Sequence, residues 1–132
     1  IIEISEGIIE LSETNIMWKE DVKIKLDECY LTYDESQINL NGKIILDFLD
    51  LDNFYKSFQV NKNYRKEVKK IELYFVYDFN DNKINFSNSL IDNSPNTNTE
   101  NFFEYFNARG NNVFNKVRLK NFINSFFQAY AG

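Results

Sequence analysis

The stretch Ile38-Asn39-Leu40-Asn41-Gly42-Lys43-Ile44-Ile45-Leu46-Asp47-Phe48 decides how the rest of this chain is read. Ile38, Leu40, Gly42, Ile44, Leu46 and Phe48 share one parity, the period-2 pattern of a strand with one apolar face. Asn41-Gly42 is ordinarily a hairpin turn. Here the alternation runs straight through it, so the spacing predicts a single strand of about a dozen residues, kinked or thinned at Gly42.

Upstream, Ile9 and Leu11 alternate with polar neighbours after Gly7, and Ile16 and Trp18 follow. Lys19-Glu20-Asp21 reads as a turn. Val22, Ile24 and Leu26 then lie on one face, before the apolar phase shifts by one to Cys29, Leu31 and Tyr33. A one-residue slip turns the wrong face inward, so a continuous strand here requires a β-bulge near Asp27-Glu28. Asp34-Glu35-Ser36 forms the turn into the long strand.

Downstream, Leu51, Phe54, Tyr55 and Phe58 fall at i, i+3, i+4 and i+7, one stripe of a short helix near 51–59, with Asp50 or Asp52 as its N-cap. Ile71, Leu73, Phe75, Tyr77 and Phe79 form a further strand. Asn80-Asp81-Asn82 turns it into Ile84, Phe86 and a weaker continuation to Ile91. Turn-forming residues fill the span from Asp92 to Thr99 and mark a boundary. Thr99 can cap a helix carrying Phe102, Phe103 and Phe106, with a break at Gly110. Val117, Phe122, Ile123, Phe126, Phe127 and Tyr130 mark a second helix.

The fold class expected is therefore α+β. A mainly antiparallel β-meander of long strands, a curved sheet or open groove, occupies 1–92 and includes the short helix. A linker and a C-terminal helical pair of the same domain, 93–132, pack on or cap the sheet.

Composition narrows the function. Apolar residues make up 43% of the 132 residues and aromatics 17%, enough for one modest core. The formal charge of −5, with both signs interspersed, argues against nucleic acid as a partner and against docking on an anionic membrane surface. The one basic run, Arg65 to Lys70, is short, contains Glu67 and reads as a solvated approach to a strand. Cys29 is the only cysteine and reads as a small core residue. The sequence opens on Ile1-Ile2-Glu3-Ile4, inside a strand-like pattern, and reads as a piece of a longer protein. It contains no signal peptide and no apolar run near the ~18 residues of a transmembrane helix.

Chemistry is scarce. There is no histidine, which removes Ser-His and Cys-His systems and most zinc sites, and four scattered glycines make no phosphate loop. Asp47, Asp50 and Asp52, with the pairs Glu20-Asp21 and Asp34-Glu35, leave an acid–base carboxylate pair as the only enzymatic route. No EF-hand spacing accompanies Asp50 and Asp52. Neither a catalytic residue, nor a cofactor, nor a metal ligand can be argued, and the chain is read as not an enzyme.

The segment from Gly7 to Trp18, including Ser12-Glu13, the segment from Ile38 to Phe48, and Asp52-Asn53-Phe54-Tyr55-Lys56-Ser57-Phe58-Gln59 together resemble the C-terminal region of AsmA-like proteins of alphaproteobacterial type. The end, Phe122 to Gly132, is similar to such a chain's C-terminus. The resemblance implies a parent anchored in the bacterial inner membrane through an N-terminal segment absent here. It implies a periplasmic β-groove sheltering phospholipid acyl chains between membranes in outer-membrane biogenesis, without enzymatic activity. On it, the groove or core face comprises Ile38, Leu40, Ile44, Leu46 and Phe48, with Leu73, Phe75 and Tyr77 on a later strand. Its partners would be acyl chains and the upstream part of the same parent. The other reading is a compact α+β interaction module, surface or adhesin-like, that binds protein or glycan.

Overall fold

A computed structural model describes residues 3–5, 8–11, 14–109 and 112–132. Ile1, Ile2, Gly7, Ser12, Glu13 and the helix break expected at Gly110 lie outside the described residues. In chain order the elements are β1 Glu3–Ser5, β2 Ile8–Glu10, β3 Thr14–Trp18, β4 Val22–Asp34, β5 Gln37–Phe48, α1 Leu51–Ser57, β6 Lys70–Asp78, β7 Lys83–Ile91, β8 Ser94–Pro95, α2 Thr97–Ala108 and α3 Lys116–Ala131. A 3-10 turn spans Lys62–Tyr64.

The stretch around Gly42 is one unbroken strand, β5, antiparallel to β4 on one side and β6 on the other. The apolar phase shift in β4 is absorbed where expected. The β4–β5 register slips between Asp27 and Tyr30, so Leu26 faces Ile44 and Leu31 faces Leu40. Glu28 takes the left-handed conformation, φ 52°, with its N–H donating 2.9 Å to Asp27 Oδ1. This extra residue turns Cys29 inward over Gly42. A Cβ added to Gly42 would lie 2.5 Å from Cys29 Sγ and 3.2 Å from the Phe75 ring. Glycine is needed here for room, because its space is occupied by the cysteine of the neighbouring strand.

The strands form one open antiparallel meander ordered β1-β2-β4-β5-β6-β7-β8, with β3 paired to the same edge of β4 that β2 continues. With three helices on it, the fold is α+β. The turns fall at 19–21, 35–36 and 79–82, and residues Lys19, Glu20, Glu35 and Asn82 take positive φ there.

The outer face is laddered by charge, with Ile45 and Glu72 buried side by side at its centre. Asp47 lies between Lys23 and Lys70 across three strands, and Lys43 Nζ lies 3.5 Å from Glu72 and 3.7 Å from Glu28. Burial alone would lower the Lys43 pKa. Attraction from Glu28, Tyr74 and Glu72 outweighs it and holds the ammonium above its ordinary value. Polar-out and apolar-in alternation is what an antiparallel sheet covered on one side requires.

The cover lies mainly over β6 and β7. There Ile71, Leu73, Phe75, Ile84, Phe86 and Ile91 are buried against Phe103 and Phe106 of α2 and Phe122, Phe126 and Phe127 of α3. Asp50 caps α1, accepting 3.1 Å from Asn53 N–H, and α1 buries Phe54 and Tyr55. The Tyr55 hydroxyl donates 2.6 Å to Lys66 C=O, and burial pushes its pKa well above the ordinary tyrosine value.

Two local expectations are corrected. Thr99 does not cap α2: Asn96 does, accepting 3.0 Å from Thr99 N–H, and the helix starts at Thr97. Thr99 lies inside the first turn, fully buried, with its hydroxyl 2.8 Å from that of Ser89 on β7. Phe79 lies one residue past the end of β6, 49% exposed and edge-on to Tyr77. Within the 92–99 boundary, Ser94–Pro95 adds a short edge strand to β7, where proline's missing N–H costs no ladder bond.

Gly42→Ala is expected to cost about 1–3 kcal/mol in urea unfolding by overpacking, with part of the loss recovered when Cys29→Ala is added. Thr99→Val is expected to cost about 1–3 kcal/mol by stranding the buried Ser89 hydroxyl, and the double variant Ser89→Ala/Thr99→Val less than the single.

Candidate functional site: an apolar trough

Because the helix pair sits over β6 and β7, the inner face of β3, β4 and β5 is only partly covered. Ile24, Leu26, Leu40, Ile44, Leu46 and Phe48 are half-buried, while Ile16 is 51% and Trp18 37% exposed. Between this strip and the helices runs a trough of about 250 Å³. Its floor is Trp18, Val22, Ile24, Ile44, Leu46 and Leu73, with Phe86 at the far side. Its walls are Phe54 of α1 and Phe58 at the C-cap of that helix, Val113, and Leu119, Phe122 and Ile123 of α3. Every lining residue is apolar. Trp18 stacks on Phe58 at 6.1 Å between centroids, and Phe54 packs on Phe58 at 4.8 Å, so the rim is aromatic.

The volume bounds the occupant. It exceeds the ~150 Å³ cavity that takes up benzene and falls just short of the ~300 Å³ at which drug-sized ligand pockets begin. A segment of aliphatic chain or one ring fits inside; a whole lipid does not.

The eight residues of the expected face share one side of the sheet but do not form one site. Ile44, Leu46 and Leu73 line the trough. Phe75 is core, beneath Gly42 and Cys29. Phe48 packs on Phe54 at 5.0 Å. Leu40 and Tyr77 are half-buried beyond the bulge, and Ile38 is 46% exposed at the far end of β5, opposite Tyr33. The trough also takes Trp18, Val22, Ile24, Phe54, Phe58 and the α3 residues, which the alternation of β5 alone does not name. Their signal is the matching parity of Val22 and Ile24 and the i, i+3, i+4 spacing of Leu119, Phe122 and Ile123.

The carboxylates lie elsewhere. Asp47 is on the outer ladder, Asp50 caps α1, and Asp52 is exposed. Asp21 is buried, with Oδ1 accepting 2.9 Å from Asn53 Nδ2 and Oδ2 without a partner among the described residues. Glu20 and Glu35 are exposed in turns. Among the described residues no three His, Cys, Asp or Glu side chains converge as metal ligands. Burial pushes the Cys29 thiol up from its ordinary pKa, away from the thiolate that nucleophilic chemistry uses. Among the described residues no helix is long and apolar enough to cross a membrane.

No family model, curated protein or solved structure matches the chain.

Proposed function

We propose that this chain is a non-enzymatic, lipid-handling segment whose apolar trough shelters part of an acyl chain. The observation that carries the reading is a trough lined only by apolar side chains and continuous with an uncovered strip of the same sheet face. Burying a methylene from water is worth ~0.8 kcal/mol, so a few carbons of chain supply several kcal/mol against this lining. The setting we propose is the one the AsmA-like resemblance implies, a periplasmic groove in a membrane-anchored parent.

The interaction-module reading has one observation of its own. On the edge strand β3, Ile16, Met17 and Trp18 are exposed on both faces, a surface that a protein partner can cover.

Trp18 is the only tryptophan and lines the trough, so its fluorescence separates the two readings. Phospholipid with brominated acyl chains is expected to quench Trp18, and Ile24→Asp to weaken that binding about tenfold or more while far-UV circular dichroism is retained. Absence of quenching, together with no lipid co-purifying in native mass spectrometry, would show the trough to be ordinary packing and favour the interaction module.

A further inference from the structure

α2 and α3 flank a second, open cavity of about 270 Å³, separate from the trough and lined by both aromatic and polar side chains. Phe102, Tyr105 and Phe106 of α2 and Arg109 at its C-cap fall at i, i+3, i+4 and i+7, and Arg118, Asn121 and Ser125 at i, i+3 and i+7 on α3. The two stripes face each other across the cleft. Leu119 and Ile123 sit about a third of a turn further round α3, on the trough side. Phe122 lies between the two stripes and lines both cavities.

The charge of the cleft departs from that of the chain. The sequence carries 20 acidic against 15 basic residues and only three arginines. Arg65 is used structurally, its Nε donating 2.8 Å to Val60 C=O. The other two, Arg109 and Arg118, both line this cleft, and no carboxylate among the described residues lines it with them. Arg109 is held in place, with Nη1 donating to Tyr105 Oη and its guanidinium 5.1 Å over the Tyr105 ring. The Arg118 guanidinium has no partner among the described residues, and the Asn121 amide and Ser125 hydroxyl sit on the same side of α3. Both arginines are exposed at the cleft, so an oxyanion bound there takes charge-assisted hydrogen bonds from them in exchange for water. Guanidinium forks match phosphate and carboxylate geometry, and Phe102, Phe106 and Phe122 offer apolar surface and ring faces beside them.

The geometry points to a binding site in the α2–α3 cleft for an organic oxyanion, a phosphate or carboxylate group carried on an aromatic ring or short apolar body. Arg109 and Arg118 hold the charged group, Asn121 and Ser125 supply neutral hydrogen bonds, and the phenylalanine floor takes the body. The site stands on the cleft alone and does not depend on acyl chains entering the trough.

Calorimetric titration of the chain at low salt with inorganic phosphate, phenyl phosphate and dihexanoyl phosphatidic acid tests it. Phenyl phosphate is expected to bind about fivefold or more tighter than inorganic phosphate, through its ring. Arg118→Gln is expected to weaken it about tenfold or more, and Arg109→Gln similarly, with circular dichroism unchanged because both side chains are exposed. Raising salt should weaken binding further. Phosphatidic acid binding tighter than phenyl phosphate, with the same arginine dependence, would identify the anion as a lipid headgroup; the reverse order would identify a free organic anion. Binding of none of the three probes, or binding insensitive to both arginine substitutions, overturns the site. Trp18 quenching is a separate readout, so failure of the trough leaves this result legible.

Discussion

Cys29 over Gly42 is the contact on which the rest of the sheet depends. A thirteen-residue strand keeps one face inward only if its side-chain phase is unbroken, and the apolar residues of β4 change phase midway. Five steps along β4, from Leu26 to Leu31, are matched to four along β5, from Ile44 to Leu40. The bulge makes that possible at the expense of a left-handed Glu28, and it delivers the Cys29 side chain into the space that a residue at 42 would fill. Glycine at 42 and a small apolar residue at 29 are thus one requirement. Phe75 completes the stack from β6, which ties the bulge to the core beneath the helices.

From that continuous face follows the unequal cover. Five phenylalanines of α2 and α3 pack on β6 and β7, and each is worth ~2–3 kcal/mol before the entropy of ordering it. They are spent on one half of the sheet. α1, with seven residues, reaches one corner, near Trp18 and Phe48. No further described element lies over β3 and the middle of β4, so an apolar strip and the trough beside it remain. The trough follows from how many elements there are and where they lie.

Much of this was legible in the sequence because it is local. The parity of residues 38–48 names the long strand despite Asn41-Gly42, the phase change at 27–29 names the bulge, and Asp50 before Leu51 names a cap. The Thr99 error shows where local reading stops. Asn96 and Thr99 are both good capping residues, and the Thr99 hydroxyl is engaged otherwise, donating to Asn96 C=O and bonded to Ser89 on β7, ten positions upstream. The candidate site was legible to the same depth. Parity assigned Ile38, Leu40, Ile44, Leu46, Phe48, Leu73, Phe75 and Tyr77 to one face, but what covers each depends on where the helices land. So Phe75 became core, Ile44, Leu46 and Leu73 became trough floor, and Ile38 stayed exposed. The arginine cleft lies beyond such reading, since two helical stripes carry no sign that they will meet.

Phe122 shows why the two cavities are linked by architecture even though they take different chemistry. Its ring lies 4.9 Å from Phe86 on the sheet and 5.1 and 5.4 Å from Phe106 and Phe102 on α2, so one side chain fixes α3 against both neighbours. With that ring clamped, the helix cannot rotate to bring Leu119 and Ile123 out of the trough without also carrying Arg118 out of the cleft. Phe126 and Phe127, buried in the same core, hold that rotation with Phe122, so the three rows of α3 are set together: apolar toward the sheet, aromatic at the joint and polar toward α2. Arg118, exposed on the row that faces the cleft, plays no part in burying the helix.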